Sequence, residues 1–286
     1  MTTSVPAKPQ LRWLKRIYAL PAEHGAWALW LGPLAVGAGV GGWNGLPTLL
    51  LVLAQLFAFL TRQPMVLLVK ALSGRRARDD AAPALMWLSL YTALAVVFGA
   101  AVIAAGYDRL LWVIVPIAPM LIWQVWLIRR RAERQMSIEL AGSGMLALAA
   151  PTAHYVATGA VDATALILWI LCWLQSAAAI VYVYLRLAQR RLGEMPPMPE
   201  RWRMGQRAIL YAGANFVLST GLAIAGLAPP QTPIAFAAML AQAVGGVRNP
   251  CVGVRPQRIG FAQVAATAIF SALLIAAYRL SRVAYP

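Results

Sequence analysis

Acidic residues are scarce in this chain. Nine Asp and Glu stand against 25 Lys and Arg among 286 residues, a formal charge of +16. Charged residues make up only 12% and apolar ones 61%, where a soluble domain carries roughly 25% charged and 45–50% apolar residues. A single water-facing globule is excluded, because so much apolar side chain has no interior large enough to hold it. Cysteine and histidine are equally sparse, two of each. Cys172 lies in an apolar run and Cys251 in a basic loop, about half a bilayer apart and far beyond the roughly 4.4–6.8 Å between Cα atoms that a disulfide requires. There is no CxxC motif, and His24 and His154 are far apart in the chain, so neither a metal nor any other cofactor is expected. The absence of GxxxxGK[ST], GxSxG and HExxH motifs excludes soluble-type hydrolysis.

Long apolar runs are abundant. A hydrocarbon core of about 30 Å needs roughly 20 helical residues, and nine runs of suitable length are bounded by charge, Pro or Gly: 25–43, 46–69, 83–106, 110–128, 136–158, 162–186, 207–228, 232–247 and 260–279. The pattern predicts an all-α, polytopic transmembrane bundle of about nine spans. Residues 1–22 form a basic cytoplasmic lead, 23–280 a single transmembrane domain and 281–286 a short tail. The lead has no apolar h-region and no A-x-A site close behind it, so a cleaved signal peptide is not expected.

The basic residues orient the bundle. With the N-terminus in the cytoplasm, all but Arg109, Arg279 and Arg282 of the 25 Lys and Arg fall on the inner side, the bias that the positive-inside rule predicts. Because these cations sit in short loops between apolar runs, their expected partners are anionic lipid headgroups, and no nucleic-acid partner is expected. The outer turns are short and nearly uncharged, which predicts tight antiparallel pairs with their functional loops on the inner side. The Met195-Pro-Pro-Met-Pro stretch predicts a stiff inner connection.

Ionisable and amide groups that lie too deep to be loop are the candidate functional residues, since they cost several kcal/mol in hydrocarbon unless paired or hydrated. Arg62 and Gln63 fall about 22 Å along their span, short of its exit, and Pro64 removes a backbone donor there and predicts a break. Glu23 and His24 open the first span, where a carboxylate beside an imidazole suits acid–base work. Glu139 lies one turn inside the fifth span and calls for a cation such as Arg62 or Arg186. Tyr182, Arg186 and Arg190 share one helical face by i, i+4 spacing, and Arg248-Asn249-Pro250 repeats the basic-amide-proline order of Arg62-Gln63-Pro64. With Lys70, these residues predict an inner-leaflet pocket richer in cations than acids, suited to phosphate or carboxylate oxygens. Glu23 and His24 are the candidate catalytic pair, and Arg62, Gln63, Lys70, Glu139, Tyr182, Arg186, Arg248 and Asn249 the candidate ligand-binding set. His154 and Asp162 belong to the outer end and receive no role.

The string Leu20-Pro21-Ala22-Glu23-His24-Gly25-Ala26-Trp27, with Arg62-Gln63-Pro64 ending the second span, resembles the YwiC-like family of bacterial integral membrane proteins. That resemblance implies a multi-pass protein of the bacterial cytoplasmic membrane and brings no mechanism with it. The span count and large inner loops are also similar, in architecture alone, to the UbiA-type intramembrane prenyltransferases, which implies a transferase acting on an isoprenoid. Those enzymes hold magnesium through paired Asp-rich motifs. Here the corresponding places offer only Asp79-Asp80, Glu194 and Glu200, without the i, i+4 spacing that lets two carboxylates share a metal. The reading that follows is a pocket for an anionic amphiphile, a phosphate- or carboxylate-bearing lipid or quinone-type precursor. The alternatives are a UbiA-like relative with altered chemistry and a secondary transporter of an organic anion. The centres of the spans are nearly pure Ala, Leu, Val and Trp, which weighs against transport, since transport favours polar groups at the midplane.

Overall fold

The computed structural model describes residues 16–21, 24–130 and 136–284, with the side chains of His24, Ser137 and 282–284 left aside. Among the described residues the chain is all-helical. It runs as α1 (Arg16–Ala19), α2 (His24–Gly41), α3 (Gly45–Leu60), α4 (Arg62–Leu72), α5 (Ala81–Ala104), α6 (Ile114–Arg129), α7 (Met136–Ala147), α8 (Ala149–Thr158), α9 (Ala163–Gln189), α10 (Met198–Ile224), α11 (Thr232–Arg248) and α12 (Pro256–Ala284). Each of the nine apolar runs is helical. Six continuous or nearly continuous helical stretches are long and apolar enough to cross a membrane, and 25–41 is a shorter apolar helix.

Two of the nine runs are each divided into two α-helices, with a proline shortly after each division. α3 ends at Leu60 and α7 at Ala147, in each case four residues before a proline, Pro64 or Pro151. A proline has no N–H to offer the carbonyl four residues back and its ring crowds that oxygen, which favours a break there, although Pro33 of α2 and Pro119 of α6 lie within continuous helices. At the first break the Thr61 hydroxyl donates to the Ala58 carbonyl at 2.6 Å. The break before Pro64 follows from the sequence, whereas 136–158 reads there as one unbroken span.

Other limits differ from the expected ones. α10 starts at Met198, well before Arg207, because Pro199 suits the first turn and Glu200 complements the N-terminal dipole. α12 runs to Ala284, beyond the expected exit at 279. Between α8 and α9, Gly159 takes a left-handed conformation (φ 74°) and donates to Tyr155 O at 2.7 Å, and Asp162 then caps α9 by accepting from Ala165 N at 2.9 Å.

Side-chain bonds fix which ends lie together. At one end Asn44 reaches both Tyr107 Oη (2.5 Å) and Val156 O (3.1 Å), Arg279 reaches Gly39 O (2.7 Å), and Ser281 reaches Gln231 (3.0 Å). At the other, arginine-rich end Arg75 donates to Ile128 O, Tyr18 to Asp80 and Arg190 Nε to Val254 O at 3.1 Å. Consecutive long segments therefore alternate in direction, and the arginine-rich loops share one face of the bundle.

α2 is the central element, wedged between α8 and α12. Small residues allow this. A β-carbon at Gly37 would fall 2.1 Å from Ala150 O and one at Gly41 2.7 Å from Ala157 Cβ, both on α8. On another face, Gly32 and Gly39 leave room for Thr267 and Ile275 of α12. One core joins α2, α8, α9, α11 and α12 around Phe236, Leu168, Leu171 and Leu274. A second joins α2, α3, α5 and α8, with Trp30 stacked on Phe59 at 5.3 Å between centroids. α5 and α6 keep most of their apolar surface outward, including Val96, Val97, Val115 and Ile122, as lipid-facing helices do.

Candidate functional site

The expected site residues fall into two groups. Arg62, Gln63 and Lys70 lie on α4, which packs on α1, α3, α5 and α6 and makes no comparable packing with α9 or α11. Tyr182 and Arg186 of α9, Arg248 and Asn249 at the end of α11, and Glu139 in the first turn of α7 share the α7–α9–α11 end of the bundle, with α7 lying along α9. Arg62 thus stands on a helix that has no substantial packing with the helices of Arg186 and Arg248. Glu23 lies outside the described residues. His24 is the first residue of α2, and its side chain is likewise outside the described set.

On α4, Gln63 donates to Ile17 O at 3.0 Å and so ties that helix to α1. Arg62 and Gln63 are half-buried in its first turn, and half-buried Lys70 stands in its last, where a cation complements the C-terminal dipole. Asp80 accepts from Tyr18 and from Arg76, the latter at 2.5 Å, so this member of the Asp79-Asp80 pair serves the junction of α1, α4 and α5. Among the described residues no three His, Cys, Asp or Glu side chains gather as metal ligands.

The second group is built on a helix end. An α-helix leaves its last four carbonyls without intrahelical donors, and α11 finishes in a basic loop near the side of α9. Arg186 Nη1 supplies the missing donors, lying 2.9 Å from Gly246 O, 2.8 Å from Asn249 O and 3.0 Å from Gln189 Oε1. Buried Gln189 adds a bond to Gly246 O at 3.0 Å, and Cys251 Sγ lies 3.1 Å from Arg186 O. The Tyr182 ring fills the space that a side chain at position 246 would need, with a β-carbon there falling 2.6 Å from the ring. The Arg186 guanidinium sits 5.8 Å from that ring's centroid, a cation–π approach. Arg201 Nη1 bonds Arg248 O at 2.9 Å, while the Arg248 side chain is exposed.

This use of arginine is general in the molecule. Arg75, Arg186, Arg190, Arg201 and Arg279 all direct guanidinium donors at backbone carbonyls near helix ends or in loops. Gln189 escaped the sequence reading because an amide in a basic, Ala-rich stretch looks like loop, and its signal is the three-residue spacing from Arg186 on one helical face.

Beside this cap lies a cleft of about 380 Å³ lined by Val252, Gly253, Val254, Arg255 and Arg258, at the start of α12. Arg190 holds its rim to α9: its Nε donates to Val254 O, and Gly253 N donates to Arg190 O at 3.2 Å. Arg255 and Arg258 are exposed. In the sequence they read as topology signals only, because they lie in a loop outside any span.

The centres of the spans also depart from expectation, for they are not uniformly apolar. In one half Trp30 Nε1 donates to Gln55 Oε1 (3.2 Å), and Gln55 Nε2 donates to Thr152 Oγ1 (2.9 Å). In the other, Gln175, Ser176, Asn215, Gln263, Thr267 and Ser271 are buried on α9, α10 and α12. Single polar residues spread along different apolar runs are diluted in composition, and only packing shows that they meet.

No curated protein and no solved structure matches the chain. Residues 20–154 match the family model described as YwiC-like protein. The matched stretch takes in α2 to α7 and ends within α8, and thus carries the EHGAW string and the Arg62-Gln63-Pro64 break. Over that region the chain is similar to the YwiC-like family, and it is a helical protein with segments long and apolar enough to cross a membrane.

Proposed function

We propose that the protein binds an anionic amphiphile, a phosphate- or carboxylate-bearing lipid or quinone-type precursor, at the arginine-rich end of α9, α11 and α12. The observation that carries this reading is the Val252–Arg258 cleft. Its volume of about 380 Å³ falls in the range of roughly 300–1,000 Å³ typical of small-molecule sites, and it presents two exposed guanidinium groups. Planar guanidinium forks match the oxygens of phosphate and carboxylate. Arg186 and Arg190 contribute by holding the α11–α12 loop against α9, so their role here is positioning rather than direct binding. The site faces the end assigned to the cytoplasm by the distribution of basic residues.

Purification in mild detergent followed by mass spectrometry of co-purified lipid tests the proposal. The wild-type protein is expected to carry a discrete anionic amphiphile above its bulk abundance, and Arg255→Ala/Arg258→Ala to lose that enrichment. Identical, unselective lipid sets on the two proteins would refute it.

Transport of an organic anion is a second reading, supported by the buried polar side chains of α9 and α12. Uptake into proteoliposomes across a panel of anions, with and without a pH gradient, tests it.

A further inference from the structure

A second opening shares no residue with the arginine cleft. It is a groove of about 230 Å³ lined by Leu140 of α7, Trp173, Leu174 and Ala177 of α9, and Tyr211 of α10. α7 and α10 each pack on α9 without comparable packing on each other. All three stretches belong to apolar runs of spanning length, so the medium in front of the groove is lipid. Trp173 and Tyr211 keep 37% and 40% of their surface uncovered.

The aromatic wall of this groove is held in place by α7. That helix breaks after Ala147, and Leu148 N turns to Met145 O at 3.2 Å, away from the Gly144 carbonyl that a continued helix would offer it. Trp169 Nε1 donates to Gly144 O at 2.9 Å, and Trp173 Nε1 donates to Leu140 O at 2.9 Å. The two indoles stack with their centroids 5.6 Å apart. Gly144 permits the close approach, since a β-carbon there would fall 2.9 Å from the Trp173 ring. Rings fixed in this way lose little side-chain freedom when a guest lies against them. On the α10 side Asn215 Nδ2 donates to Leu174 O at 2.6 Å, which sets these two residues at one level.

Charge stands above the wall. Arg203, Arg207 and Tyr211 follow one face of α10 at i, i+4 spacing, and all three are exposed. Arg207 is one turn, about 6 Å, from Tyr211 and about 12 Å from the level of Asn215 and Leu174. Both arginines lie toward the arginine-rich end, where the positive-inside bias puts the inner headgroups. Glu200 is the only acid of α10, against three arginines. A phosphate on the two guanidinium forks leaves its apolar chain to descend past Tyr211 onto Trp173. The groove takes roughly eight methylene-sized units at the 30 Å³ of a water, one segment of a single chain. A neighbouring helix packs through a whole face of ridges and does not enter so narrow a space.

We propose that the α7–α9–α10 groove is a binding site for an anionic phospholipid of the inner leaflet, with its phosphate on Arg203 and Arg207 and one acyl chain against Trp173. The site is separate from the Val252–Arg258 cleft and does not rest on it.

The test uses the full chain in phosphatidylcholine vesicles that contain a small fraction of lipid brominated in its acyl chains, either phosphatidylglycerol or phosphatidylcholine. Bromine quenches tryptophan fluorescence on contact, and the quenching lost in Trp173→Phe belongs to Trp173. In the wild type this share is expected to be at least about fivefold larger with the brominated phosphatidylglycerol, the discrimination of one cation beside an anionic lipid. Arg203→Gln/Arg207→Gln changes exposed side chains and is expected to bring the ratio near one at an unchanged melting temperature. Arg255→Ala/Arg258→Ala should keep the wild-type ratio; a ratio lost there assigns the lipid to the cleft and overturns the proposal. Equal quenching by the two lipids overturns it, as does a preference that survives in Arg203→Gln/Arg207→Gln. A Trp173 that neither lipid reaches, the sign of a second copy over the groove, also overturns it. Should Trp173→Phe fail to fold, total quenching decides: a phosphatidylglycerol preference lost from wild type to Arg203→Gln/Arg207→Gln supports the site, and an equal preference in both refutes it.

Discussion

Arg186 of α9 and Gly246 of α11 are joined by a bond of 2.9 Å from guanidinium to carbonyl, and the absent side chain of Gly246 leaves the space that Tyr182 occupies. A cation thereby complements the negative end of the α11 dipole and satisfies carbonyls that the helix itself cannot. Arg186→Ala is expected to destabilise the protein by about 1.5–3 kcal/mol, the range for hydrogen bonds to charged groups. Thermal unfolding in detergent measures this. Lys at 186 restores the charge without the fork that spans two carbonyls, so it should recover only part of the loss.

Gly37 of α2 faces the backbone of α8, with no flexible side chain to yield. Gly37→Ala is expected to cost about 1–3 kcal/mol through overpacking. Gly99 of α5 has nothing within 4 Å of its would-be β-carbon, so Gly99→Ala is expected to be neutral or slightly stabilising. Equal melting temperatures for the two variants would contradict the close α2–α8 approach.

Gln55 connects α3 to α8 through Thr152 and to α2 through Trp30. A double-mutant cycle of Gln55→Leu and Thr152→Val should return a coupling of about 0.6 kcal/mol, and at most about 1.7, as for other hydrogen bonds between membrane helices. A coupling of zero would show the two side chains to be independent.

The orientation of the bundle is tested by cysteine labelling. Glu194 and Ala160 are exposed at opposite ends, and the two native cysteines are buried. A membrane-impermeant maleimide applied to intact spheroplasts is expected to label Ala160→Cys and spare Glu194→Cys until the cells are lysed. The reverse pattern would invert the assignment of sides.

Much of the architecture was legible in the chain. The lengths of the apolar runs correspond to the helices because the bilayer requires backbone donors and acceptors to pair within each segment. The break before Pro64 was readable because proline acts locally on the carbonyl four residues back. The same rule places the end of α7 before Pro151, where the uninterrupted apolar run concealed it. The distribution of Arg separated the two ends of the bundle, and Asn44, Arg75, Arg190 and Arg279 bind accordingly.

The roles of the polar side chains were decided by tertiary structure. The charge and spacing of Arg186 suit an anion and a carbonyl equally, and only the arrival of the α11 terminus beside α9 commits its Nη1 to Gly246 and Asn249. The division of Arg62 from Arg186 is likewise a matter of which helices become neighbours. Gln175 lies far in sequence from Gln263 and Thr267, and each is a minor blemish in an apolar run. They form one seam because α9 and α12 pack together, and partner choice between helices depends on the shape of whole faces, which periodicity along one chain does not encode.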